Sequence, residues 1–129
     1  MNEKAESEFK EGCTQNEKGD YPSALSHFKA AVKLDDSDPR YWISLGVCLM
    51  KLCHWREAVN SLKKGVELKP HYAEADARMF LAEALAAAGR IKEATKEWET
   101  VSGMVPTYPS YNAPIAEANE KLHEFRKGG

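Results

Sequence analysis

The residues of this chain able to act as nucleophiles, bases or soft metal ligands are three cysteines, Cys13, Cys48 and Cys53, and four histidines, His27, His54, His71 and His123. A catalytic thiol or hydroxyl needs a base within hydrogen-bond reach and an acidic group to orient that base. None of the histidines has a Ser or Cys with an acidic orienter at a spacing that one helix or turn would bring together. Structural zinc needs four ligands. Cys48, Cys53 and His54 come nearest, but Cys48 and Cys53 fall on opposite sides of a helix end and no second pair completes a tetrahedron. A glycine-rich phosphate loop, an H-E-x-x-H helix and a calcium loop are also missing from the sequence. The expectation is a non-enzymatic chain without metal or cofactor, leaving recognition of another molecule by its surface.

Composition narrows the class of partner. The chain has 129 residues, the size of one domain, and is expected to form one over residues 1–129. Its 43% hydrophobic content is that of an ordinary globular protein and excludes wholesale disorder. A formal charge of −2 and short basic clusters, Lys63 with Lys64 and Arg126 with Lys127, give no means of neutralising a run of phosphates. Nucleic acid is therefore not expected as a partner. The N-terminal stretch is polar and acidic, and the most apolar run, residues 79–89, is too short for a membrane span and carries Glu83. An odd number of cysteines without a C-x-x-C pair favours reduced thiols and a cytoplasmic location.

The elements that would carry a recognition surface are helical. In residues 39–72, Trp42, Leu45, Gly46 and Leu49 form one apolar stripe, Ala58, Leu62 and Val66 a second, and Pro70 closes the unit. Two helices this short cannot bury their stripes on each other alone. The chain supplies neighbours, because the same columns recur at intervals of about 34 to 36 residues. Gly12, Gly46 and Ala82 share one column, Ala24, Ala58 and Ala94 a second, Phe28, Leu62 and Trp98 a third, and Asp36, Pro70 and Pro106 a fourth. Small residues in the first two columns let paired helices approach closely, and the Pro column stops the second helix.

This pattern resembles the tetratricopeptide repeat, over most of the chain and best in the second unit. The resemblance implies an all-α, right-handed solenoid of three helix-turn-helix repeats, about residues 5–38, 39–72 and 75–108, with a capping helix at about residues 112–127. Asp38 and Asn112 are suited to N-cap the helices that follow them, and Pro22, Pro39 and Pro114 to sit in first turns. Two extra residues, Ala73 and Glu74, are expected to lengthen the fifth helix by about half a turn. The capping helix pairs an apolar stripe of Ile115, Ala118, Leu122 and Phe125 with polar Glu117, Glu120, Lys121 and Glu124.

In the family the first helices of successive repeats line a concave groove. By resemblance the lining here includes Phe9 and Cys13 from the first repeat, Arg40, Ile43, Val47, Met50 and Lys51 from the second, and Asp76, Met79 and Glu83 from the third. An apolar strip rimmed by charge is a sign of a binding site. The expected function is a protein–protein interaction module, a scaffold, adaptor or co-chaperone-like part that holds an apolar or amphipathic peptide or helix. Relatives that grip acidic chaperone tails resemble one another in a clamp of Lys, Asn and Arg, which would fall on Phe9, Cys13, Ser44, Asp76 and Phe80, and none of the five matches. The rival expectation is a homo-oligomeric structural part that buries the same strip between copies.

Overall fold

The computed structural model describes residues 2–128, and among them the regular elements are seven α-helices and two short 3-10 turns. In chain order these are α1 (Glu3–Glu17), α2 (Tyr21–Leu34), α3 (Pro39–Lys51), α4 (Trp55–Glu67), a 3-10 turn (His71–Ala73), α5 (Glu74–Ala87), α6 (Ile91–Ser102), a second 3-10 turn (Pro109–Tyr111) and α7 (Asn112–Gly128). Met1 and Gly129, the ends of the expected domain, lie outside the described residues. The chain divides into two compact units, Met1–Lys69 and Pro70–Gly129.

In the first unit α1 packs on α2, α3 on α4, and α2 on α3. Side chains start these helices by satisfying backbone N–H groups that have no partner inside the helix. The Asn2 carboxamide accepts from the Ala5 amide at 2.9 Å, Asp20 from Ser23 at 3.1 Å, and Asp38 from Arg40 at 2.9 Å. The small columns sit where helices touch. A Cβ at Gly12 would lie 2.6 Å from the Phe28 ring, and one at Gly46 would lie 2.5 Å from Leu62 Cγ. The two columns therefore form knob-and-gap pairs, Gly against the large residue of the next helix, with Ala24 and Ala58 fully buried beside them.

The second unit contains α5, α6 and α7, each packed against the other two. Its core includes Ala75, Ala82, Leu85, Ala94, Trp98, Val101, Ala118 and Leu122. Here the structure departs from the expectations at two junctions. Of the two extra residues before α5 only Glu74 lengthens it, by one residue, giving 14 against the 13 of α3, while Ala73 closes the 3-10 turn. Asn112 does not cap α7, because its backbone is already helical (φ −59°, ψ −49°) and the second 3-10 turn leads straight into the helix. The two 3-10 turns at these junctions are tied together. The Tyr111 hydroxyl donates to the His71 carbonyl, Ser110 Oγ donates to the Tyr72 carbonyl at 2.8 Å, and the rings of Tyr72, Tyr108 and Tyr111 stack edge to face.

Candidate functional site

Two candidates of the first unit, Arg40 and Phe9, are engaged with each other and with Glu6, Asp38 and Tyr41. Arg40 donates to Glu6 at 2.9 Å and to Asp38 at 2.7 Å, and its guanidinium lies 5.0 Å from the Phe9 ring centroid and 5.4 Å from that of Tyr41. The Tyr41 hydroxyl donates to the same Glu6 oxygen at 3.0 Å. These bonds reshape the titration of the cluster. The Arg40 hydrogen bond holds the Glu6 carboxyl below the usual range, while burial and then the Glu6 bond push the Tyr41 phenol up to about 12. Arg40 is therefore committed to two carboxylates and covers Phe9.

The other candidates of this unit are divided. Ile43 packs on α4, its Cγ1 only 2.7 Å from where a Cβ would stand at Gly65. Met50 is buried at 8% exposure, Val47 is half-buried and Lys51 is exposed. Cys13 is half-buried, and loss of hydration raises its thiol above the ordinary value. Of the expected apolar strip in this unit, Met50 is buried and Phe9, Ile43 and Val47 are half-buried.

The second unit holds an open cleft of about 660 Å³. From α5 come Asp76, Met79, Phe80, Glu83 and Ala86, from α6 Trp98, and from α7 Glu117, Lys121, Glu124 and Phe125. The α5 residues follow helical spacing and share one face. Three of the residues expected from the sequence, Asp76, Met79 and Glu83, meet here. Phe80, Trp98, Glu117, Lys121, Glu124 and Phe125 were not among the expected site residues. Phe125 was expected in the apolar stripe of the cap, yet it is 43% exposed while Ala118 and Leu122 are buried, because α7 turns its last apolar residue toward the cleft.

The lining of the cleft combines apolar side chains with four carboxylates and one ammonium, and contains no thiol, imidazole or hydroxyl. His27 is paired with Glu8 at 2.7 Å, His54, His71 and His123 are exposed, and among the described residues no group of three or more His, Cys, Asp or Glu side chains is placed to hold a metal. No helix among the described residues is long and apolar enough to cross a membrane.

Helix pairs joined by tight turns, with small residues at each crossing and an open cleft on first-helix residues, define the class of helical-repeat proteins. Two family profiles, both described as tetratricopeptide repeat, match residues 16–75 and 49–109, and the chain belongs to the tetratricopeptide-repeat family. Solved structures of similar fold include a type III secretion system complex from Aeromonas hydrophila, with TM-score 0.87 and 22% identity over 99% of this chain and 84% of that one. A second is the Yersinia enterocolitica type III secretion chaperone SycD in complex with a peptide of the translocator YopD, at TM-score 0.85 and 21% identity over 95% and 92% of the two chains. A third is PcrH in complex with the chaperone-binding region of PopD, at TM-score 0.83 and 24% identity over 92% and 88%.

Proposed function

We propose that this chain is a protein–protein interaction module, a scaffold or adaptor of the co-chaperone kind, that holds an apolar or amphipathic segment of another protein. The observation that carries this reading is the cleft of the second unit, whose floor is Met79, Phe80, Trp98 and Phe125. Aromatic side chains dominate interface energetics, and Met adapts its shape to what it meets. Chaperones of similar fold have been solved with peptides of their partners, which supports the reading by analogy of fold alone. The three thiols are free, which suits the reducing cytoplasm as the place of action.

The occupant is not the acidic C-terminal tail of a chaperone. The positions that would clamp a terminal carboxylate hold Phe9, Cys13, Ser44, Asp76 and Phe80. Arg40, which could have replaced a missing cation, already serves Glu6 and Asp38. Asp76 repels a carboxylate where a cation is needed.

Selection from a library of peptides displayed without a free C-terminus tests the proposal. Enriched peptides should carry apolar residues at regular spacing. Replacing Phe80 and Phe125 by Ser should weaken them by roughly 2 kcal/mol, about thirtyfold, since a few central contacts carry most of the energy of an interface. The melting temperature should change little, as Phe80 is half-buried and Phe125 exposed. Enrichment of peptides only when their C-terminal carboxylate is free would sink the proposal.

A further inference from the structure

Resting on that interaction reading, we propose that the cleft of the second unit takes a cationic amphipathic segment of a partner protein. Its apolar side chains lie on the Met79, Phe80 and Trp98 floor, and its Lys or Arg side chains reach the carboxylates of the rim.

The argument is one of charge complementarity. Four carboxylates, Asp76 and Glu83 from α5 and Glu117 and Glu124 from α7, line the cleft against a single ammonium, that of Lys121. Elsewhere in the unit Arg78 and Arg90 are matched. Arg78 bonds Glu97 at 2.8 Å and Glu74 at 3.3 Å, and Arg90 bonds Glu93 at 2.6 Å. Among the described residues, none of the four cleft carboxylates takes part in an ion pair, and Lys121 bonds neither Glu117 nor Glu124. Asp76 keeps contact with water, but loss of part of its hydration raises its carboxyl above the ordinary aspartate range. An acidic occupant would be repelled. A wholly apolar one would strip water from carboxylates without replacing it, which is unfavourable. A segment that brings cations satisfies both floor and rim.

Size agrees with a short segment. The α5 stripe from Asp76 to Ala86 spans about 15 Å at 1.5 Å per residue, which matches about three turns of a helix or about five extended residues. A cleft of about 660 Å³ admits several side chains of such a segment.

Isothermal titration calorimetry with a synthetic helix of Leu and Lys tests this, Leu on one face and Lys on the other. Matched peptides carry Glu or Gln in place of Lys. Each is titrated into the full chain, a cleft variant (Glu83→Gln with Glu117→Gln) and an equal-charge control in α1 (Glu3→Gln with Glu11→Gln). All four glutamates are exposed, so both variants should fold. The Lys peptide should bind the parent and the control alike and the cleft variant about tenfold more weakly, with a salt dependence that the cleft variant loses. The Glu peptide should not bind. Amide shifts on Lys-peptide binding should cluster on α5 and α7. Equal affinity of the Lys peptide for the cleft variant and the control overturns the inference. If the Gln peptide binds parent and cleft variant as tightly as the Lys peptide does, the cleft still docks a segment but charge does not choose it. If no peptide binds, both readings fall. A mass that rises with concentration, and does so only with the four carboxylates intact, would assign the cleft to a second copy and overturn the inference.

Discussion

At Cys53 the backbone takes φ 60°, a left-handed conformation that the turns of the other two helix pairs reach with Gly19 (φ 79°) and Gly89 (φ 82°). An L residue there costs about 1–2 kcal/mol, offset by about 0.4–1 kcal/mol for the greater freedom of Gly in the unfolded chain. Cys53→Gly should therefore stabilise the first unit by about 0.5–1 kcal/mol, and an unchanged or lower urea midpoint would count against it. The Glu6 cluster should respond to pH. Because the folded Glu6 carboxyl is held below its ordinary value, its contribution is fully present above that value and is lost as pH falls through the lowered one. Half of the Arg40 side chain is exposed, so solvent screens the pair and its worth is roughly 1 kcal/mol at neutral pH. Glu6→Gln should lower the urea midpoint at about pH 7, and the gap to the parent should narrow as pH falls below the ordinary carboxylate range. A difference that stays constant with pH would remove the role of charge.

Helix crossings leave little room for change. Ala58 is fully buried, and its carbonyl lies 3.4 Å from where a Cβ would stand at Gly46, so α3 and α4 leave no room for more atoms. Ala58→Leu should destabilise by about 1–3 kcal/mol. Lys64→Ala, on the exposed face of the same helix, should stay within about 0.5 kcal/mol. Equal melting of the two would mean that the repeat register is wrong. In α7 the division runs between neighbours one turn apart. Leu122 is 4% exposed and Phe125 43%. Leu122→Ala should cost about 2–5 kcal/mol, whereas Phe125→Ala should cost under about 1 kcal/mol and act on binding instead. Thermal melts read this contrast directly, and a large loss from Phe125→Ala would return that residue to the core.

For the whole molecule the competing reading is self-association. A binding module for foreign segments should keep the 14.4 kDa mass of one chain as concentration rises. Light scattering across about a hundredfold range of concentration checks this. A steady climb to twice that mass would favour the rival, in which the surface read here as a docking site is covered by another copy.

Much of the fold was legible because helical structure is written in local spacing. The stripes of residues 39–72, the Gly and Ala columns and the Asp38 cap depend on residues within a turn or two of one another, and each appears where the pattern puts it. Even the left-handed Cys53 shares a repeat column with Gly19 and Gly89, a signal present in the sequence that only the backbone angle makes plain. Spacing tells which residues share a face but not what covers that face. Only tertiary packing set Arg40 over Phe9 with Glu6, a partner 34 positions away in the chain. It likewise pressed Ile43 onto Gly65, tied the two 3-10 turns through Tyr111, and opened Phe125 toward a cleft whose rim comes from both α5 and α7. These contacts join elements far apart in the chain, and their partners are chosen by shape and charge in three dimensions, which no periodicity along one helix encodes.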